Sequence, residues 1–326
     1  MHRADPIFIH GVLPRSGTNF LWDLLLLHPD CVRAQEPVNE DLFLECSDHL
    51  VRFVDAVRAC WDPTWGTFTA DLPDRLYRNI GEGLVSFLWT DRQRRLVTKS
   101  PSVVHLERFF AFFPCARLLI LVRDGRSVVQ SAVETFGWDF DRACRAWSEA
   151  AHTIHRFQQA ESARADRWCL VRYEDLVDDP ERELRAIFEF LGIDPTRYDF
   201  EAARNLPVRG SSAFGRDNGK VHWKGVAKDA SFAPKERWRS WHTAQFERFD
   251  WLAGEQLVAV GYAASRRRFS IGGSIKHTLH DWRWLAAKTA RRILYSTRMR
   301  LALRRRIAGT LKGRVSDRRL DDTSST

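Results

Sequence analysis

Short runs of consecutive apolar residues alternate with longer stretches in which apolar positions recur every three or four residues. That order builds a parallel sheet covered by helices, an α/β fold. Pro6–His10 (PIFIH) reads as a buried strand that passes through GVLPRSGTN into an apolar helix, Phe20–Leu27, ended by His28 and Pro29. Helical stretches at Ser47–Trp61 and Pro73–Asp91 precede a second strand at Leu96–Thr98. A helix over Ser102–Phe113 leads to a third strand, Arg117–Val122, and to the helix Gly125–Phe136. A long helix, Asp139–Ala163, comes before a fourth strand, Trp168–Arg172. The last of these helices is delimited by its ends: Asp179 as N-cap, Pro180 in the first turn, Gly192 after Leu191. From Leu206 to Ser231 the chain is rich in Gly, Ser, Asn and Lys without apolar period, a length of loop expected to serve function.

Composition sharpens the division. The chain has 326 residues, 44% of them apolar, enough to bury a core without disulfides or a structural metal. Its net charge of +9 is uneven: residues 266–326 hold 17 basic side chains against 4 Asp, so residues 1–265 are slightly acidic. This predicts one α/β domain over 1–265 and a basic, helical tail over 266–326. It also removes the broad basic surface of a specific nucleic-acid binder. The 43 arginines against 8 lysines fit the codon bias of a GC-rich, bacterial-type genome. Six cysteines form no C-x-x-C pair, which fits a reducing compartment. The first ten residues are too short and polar for a signal peptide, and no run reaches the ~18 apolar residues of a spanning helix, so a cytoplasmic location is expected.

Gly11–Asn19 supplies the chemistry. A Gly-rich turn between a buried strand and a helix points backbone N–H groups and a positive helix end at one spot, as a phosphate or sulfate requires. Thr18 occupies the place of a Walker A lysine, so a P-loop nucleotide kinase or NTPase would lack its key cation. Arg15 can instead fork onto a tetrahedral anion while Ser16 and Thr18 add hydroxyl donors. A third class, a non-catalytic anion-binding, membrane-associated protein, would keep the turn without turnover. His152 and His155 share a helix face but have no further ligand at metal spacing, so no metal is expected. Trp223, Trp238, Trp241 and Trp251 are expected chiefly in the core, with an acceptor pocket as their other use.

The segment PRSGTNFLWDLLLLHPDCVRAQE resembles the opening of sulfotransferases that use 3′-phosphoadenylyl sulfate, most nearly their tyrosylprotein branch, in a bacterial-type version. TKSP (Thr98–Pro101), LLILVRDGRSVVQS (Leu118–Ser131) and VRYEDLVDDPERELRAIFEFLGI (Val171–Ile193) resemble that branch in the same order. The resemblance spans about residues 6–240. It implies a P-loop NTPase-like sulfotransferase fold, a central parallel sheet flanked by helices. It further implies that Arg15, Ser16, Gly17, Thr18 and Asn19 hold the 5′-phosphosulfate, that Arg123 and Ser131 hold the 3′-phosphate, and that Tyr173 lies near the adenine. Arg15 and Arg123 would thereby open two pockets on opposite ends of one donor. Lys99 takes the family's transition-state position, and Glu36 that of the catalytic base. Ser211 or Ser212, followed by Lys220 or Lys224, would close the site from the long loop. The acceptor is then a hydroxyl of a carbohydrate, lipid or peptide tyrosine. Thr135 stands where the branch has another arginine, and Pro37 where it has a second Glu, departures that bear on the acceptor.

In the tail, apolar residues recur near helical spacing between Trp282 and Leu311 (Ile293, Leu294, Leu301, Ile307, Ala308, Leu311) among arginines that include Arg304–Arg306. Such a segment could lie peripherally on an anionic membrane; a helix packed on the domain with a solvated basic face, or a disordered tail retaining nucleic acid non-specifically, are the other readings.

Overall fold

The computed structural model describes residues 5–34, 38–62, 64, 69–207, 209, 216–217, 220–221, 235–263 and 269–290, with the backbone alone at 216–217 and 220–221. The chain divides into two compact units, Met1–Ser265 and Arg266–Thr326.

The first unit is an α/β fold around a five-stranded, all-parallel sheet of order β2-β3-β1-β4-β5. The strands are β1 (Ile7–Gly11), β2 (Cys31–Val32), β3 (Arg95–Ser100), β4 (Arg117–Val122) and β5 (Trp168–Arg172). β1 lies in the middle, with Ile9 opposite Lys99 of β3 and Leu119 of β4. Its residues are buried without interruption, because helices cover both faces. On one face Phe8, Leu118, Ile120 and Val122 pack with α5 (Gly125–Phe136), α6 (Phe140–Ala160) and, later in the chain, α10 (Thr243–Ala259). On the other, Ile7, Ile9, Leu119 and Leu121 meet α1 (Thr18–Leu26) and α8 (Pro180–Leu191). α2 (Ser47–Cys60) and α3 (Leu72–Leu88) lie between β2 and β3 in the chain. α7 (Tyr173–Asp178) follows β5 directly, and α9 (Phe200–Arg204) follows α8.

The expected elements form, with one break. Instead of a helix over Ser102–Phe113 there is a turn, a short 3₁₀ segment at Leu106–Arg108 and a single helical turn, α4 (Phe109–Phe112). Val103, Leu106, Phe109 and Phe112 are all drawn into the core. Phe110 and Phe113 are buried with them, so apolar side chains point inward from more than one side of the segment, which a bent path of turn, 3₁₀ segment and single helical turn allows. His105, in the left-handed region at φ 58°, marks the bend. Outside the sequence expectation lay the two-residue edge strand β2, helices α7, α9 and α10, and a two-stranded antiparallel ribbon, β6 (Arg216–Asp217) with β7 (Lys220–Val221), within the long loop. α10 is tied to α6 by a buried pair, Arg248 Nε to Asp141 Oδ1 at 3.0 Å. Trp241 is a core residue, stacked edge-on to Phe140 and Phe246, and Trp238 packs beside it.

The described part of the second unit is a helix over 271–290. Among the described residues no helix is long and apolar enough to cross a membrane.

Candidate active site

Three adjacent strands, β3, β1 and β4, end side by side, and the strand order reverses about β1. The crevice outside carboxyl ends at such a point is where open α/β sheets bind ligands. The turn from β1 into α1 is tight. Arg15 has φ 83° and Gly17 φ 103°. A Cβ on Gly17 would lie 2.4 Å from the Tyr173 ring, and one on Gly11 would lie 2.3 Å from Ser16 Oγ. Glycine is therefore required at both ends for the turn to close on its own side chains. Gly17 is the N-cap of α1 and gives no side-chain hydrogen bond to the first turn. Ser16 is fully buried, and its Oγ has no hydrogen-bond partner among the described residues. A buried hydroxyl left so, beside an uncapped helix start, fits an anion held from the protein side.

Arg15, a non-glycine residue in the left-handed region, costs on the order of 1–3 kcal/mol, and its neighbours hold it there. Its Nε donates to Ser131 Oγ at 3.0 Å, and its carbonyl accepts from Arg123 Nη1 at 2.7 Å. Arg123 lies 4.3 Å from the centre of the Tyr173 ring. Asp124, the neighbour that could have neutralised Arg123, instead caps α5 through Arg126 N and pairs with the Arg126 guanidinium at 2.6 Å. The two expected pockets are thus one continuous cluster: the Arg15 turn rests on the Arg123 and Ser131 motif.

A further cation enters that cluster from a segment the motifs do not cover. Residues 235–241 dock on α5: Ser127 Oγ donates to the Lys235 carbonyl, Trp241 Nε1 to Gln130 at 2.6 Å, and Arg126 stacks on Trp238 at 4.4 Å. Arg237, carried by the 3₁₀ turn Arg237–Ser240, is thereby half-buried and close enough to Arg15 and Arg123 to act on their charge, with Glu134 3.5 Å from its Nη1. Burial and the two other guanidinium groups push Arg15 down to about 10. The same causes, burial first and then Arg123, lower Arg237. Like charges held together out of water favour an anion between them. Nothing in the local sequence announces Arg237; only the folding-back of 235–241 onto α5 brings it in.

Lys99 is 2% exposed on β3, its Nζ 3.4 Å from Glu40 Oε1 and 5.8 Å from the centre of the Trp22 ring. Burial lowers its pKa, and Glu40 opposes that. The segment 38–46 is stitched to the end of β3: Thr98 Oγ1 donates to Asp41 at 2.8 Å, Asp41 N to the Lys99 carbonyl at 3.1 Å, and Ser100 Oγ to Glu45 at 3.2 Å. On the far side of Trp22, Arg209 forks onto Asp23 with Nε at 2.7 Å. Burial raises the Asp23 pKa against that arginine. Glu40 and the Asp23–Arg209 pair had no sequence signal beyond their charge.

Thr18 is buried and Asn19 half-buried in the first turn of α1, and Tyr173 is the buried first residue of α7, under the Gly17 turn. Burial raises the Tyr173 pKa. Glu36, Ser211, Ser212 and Lys224 lie outside the described residues, and of Lys220 only the backbone, in β7, is described. Among the described residues no group of three or more His, Cys, Asp or Glu side chains could hold a metal.

Residues 6–197 match the model of the sulfotransferase family. The chain is 29% identical over 210 residues to protein-tyrosine sulfotransferase A of Caenorhabditis elegans, covering 59% of this chain and 51% of that protein. It is 30% identical over 205 residues to protein-tyrosine sulfotransferase 2 of Gallus gallus, covering 57% and 51%. The chain thus spans about half the length of these relatives. Among solved structures it resembles the sulfotransferase domain of the Synechococcus olefin synthase, at 23% identity and a TM-score of 0.44 over 74% of this chain and 90% of that one. It also resembles a sulfotransferase from Alicyclobacillus acidocaldarius, at 16% identity and a TM-score of 0.46 over 78% and 94%.

Proposed function

The chain belongs to the sulfotransferase family, and from that premise we propose that it moves a sulfuryl group from 3′-phosphoadenylyl sulfate to the hydroxyl of an acceptor. The observation that carries this reading is the convergence of Arg15, Arg123 and Arg237, the second of them buried, beside the uncapped start of α1. A donor with phosphate groups at both ends would bring negative charge to such a cluster. The donor also supplies the sulfuryl group, which leaves a bisphosphate behind.

The chain's own residues then take distinct parts. Ser16, Gly17, Thr18 and Asn19 would offer hydroxyls and the helix start to the 5′ side. Arg15 is assigned to the 5′-phosphosulfate, and Arg123, Ser131 and the newly found Arg237 to the 3′-phosphate. Tyr173 would border the adenine. Ser212, Lys220 and Lys224 would complete the 3′ side from the long loop, and Ser211 would approach the transferring group. Lys99, poised on Glu40, would neutralise charge that builds on the oxygen bridging the sulfuryl and phosphate groups as that bond breaks. Glu36 would accept the acceptor's proton. In-line transfer between two oxygens needs this much, a cation on one side and a base on the other.

The acceptor is a carbohydrate, lipid or peptide-tyrosine hydroxyl. The two tyrosylprotein relatives support the last, and Thr135 and Pro37 favour one of the others. A cytoplasmic setting is supported by the six free cysteines, of which Cys31 and Cys144 are buried.

Calorimetry with adenosine 3′,5′-bisphosphate and with ATP tests the donor. The bisphosphate should bind at least ~10²-fold more tightly, since a 3′-phosphate on paired arginines is worth about 1.5–3 kcal/mol per charged hydrogen bond. Equal binding would point to a nucleotide kinase or NTPase instead. Transfer of labelled sulfate to a cell extract separates an enzyme from a protein that only binds the anion. For the added arginine, Arg237→Ala should weaken the bisphosphate ~10-fold and leave binding of inorganic sulfate at the Gly17 turn unchanged. Equal affinity for the bisphosphate would remove Arg237 from the site.

A further inference from the structure

In the helix over 271–290 the usual burial pattern is reversed. Ile271, Ile275, Leu279, Trp282 and Leu285 are 84%, 56%, 57%, 69% and 49% exposed. Their spacings of four, four, three and three set them in one stripe along the helix. The other face, with Ser274, Asp281 and Trp284 half-buried and His277 buried, is the one that makes contacts. There the His277 ring meets Phe269 edge-on at 5.5 Å, and Lys288 lies 5.0 Å from the Trp284 ring. A helix of a globular protein turns its apolar stripe inward, so a stripe of this length facing water marks a binding surface.

Charge identifies the occupant. Lys276 and Arg283 border the stripe on one side, by helical rotation; on the other, Ser274 and Asp281 stand next to it and Lys288 just beyond them. Arg266–Arg268 precede the helix, and Arg291 and Arg292 follow it at once. Across residues 266–326 there are 17 basic side chains and only four acidic ones, so a second copy of this chain would bring two strongly positive tails together. An anionic lipid surface accepts both features at once: acyl chains take the apolar stripe and headgroup phosphates take the arginines and lysines. Trp282 is the side chain suited to the boundary between them.

We propose that the exposed apolar stripe of residues 271–290 seats this protein on an anionic membrane, with the helix lying in the interface plane. The proposal is independent of the transfer chemistry, since neither its residues nor its test involve the donor.

The test is flotation of the full chain with vesicles of phosphatidylcholine alone and of phosphatidylcholine mixed with phosphatidylglycerol. The protein should float with the mixed vesicles and stay down with the neutral ones. Leu279→Glu combined with Trp282→Glu should cut the floating fraction ~10-fold, and Lys276→Glu with Arg283→Glu by a smaller factor. All four side chains face water, so the thermal midpoint should not move. If it does, Ile271→Glu with Ile275→Glu is read in the same way. Failure to float with mixed vesicles overturns the proposal, as does equal flotation of both apolar variants. A dimer in sedimentation that Leu279→Glu with Trp282→Glu dissolves, without vesicle binding, would instead make the stripe an interface between copies.

Discussion

Lys99→Ala is expected to lower kcat by about 10²–10³, the loss that follows removal of one preorganised donor at a developing charge, while the affinity for adenosine 3′,5′-bisphosphate changes only a few-fold. The split follows from two separate electrostatic neighbourhoods. Lys99 is moved by burial, Glu40, Arg209 and Asp23, whereas Arg15 is moved by burial, Arg237 and Arg123. On the proposed roles, donor grip would stay with the arginine cluster and transition-state charge would fall to Lys99. The pH profile carries the same signature. Burial lowers the Lys99 pKa below the usual 10.5, and the working form is the protonated one, so activity should fall as pH rises through that lowered value. In Lys99→Arg, whose guanidinium stays charged throughout, this alkaline limb should vanish from the accessible range. A Lys99→Ala enzyme with the parent kcat would place the critical cation elsewhere.

Glu36→Gln should leave bisphosphate affinity intact and reduce turnover by about 10²–10⁴, the range that general-base catalysis contributes. Glu36 lies four residues before Glu40, and the segment from 38 onward is fastened to the end of β3 through Asp41, Glu40 and Glu45. A carboxylate near 4.3 is a weak base for a phenol near 10, so proton transfer must come late, once the acceptor oxygen has begun to bond to sulfur. Glu40→Gln is the matched control, because Glu40 touches Lys99 and is half-exposed. If Glu40→Gln loses turnover on this scale while Glu36→Gln keeps the parent rate, the base is Glu40.

The sheet was legible in the chain because parallel strands buried on both faces are near-continuous apolar runs, as β1 and β4 are, and because the half-buried edge strand β5 keeps four apolar residues in a row. β2 was not, because two residues carry no period. The stretch after Pro101 misled in an instructive way: Leu106, Phe109, Phe110 and Phe113 have the spacing of a helix face, but Val103 and Phe112 are buried as well, and the chain bends at His105 to place them all. The Gly11–Asn19 turn was readable since glycine and hydroxyl residues between a strand and a helix have few other uses. Arg237 and the Asp23–Arg209 pair were hidden for the opposite reason. An arginine's identity says that it seeks negative charge or water, and only tertiary docking decides which.

Asp141 and Arg248, buried together between α6 and α10, set a lower limit on what can be cut from this protein. A chain ending at residue 197, where the family pattern stops, would keep every strand of the parallel sheet yet lose α10 and with it the Arg248 partner of Asp141. Leaving one member of such a pair alone costs about 3–5 kcal/mol, a large share of a domain's net stability. During synthesis the same dependence delays closure: the ribosome must release the α10 segment before the core beneath α6 can dry.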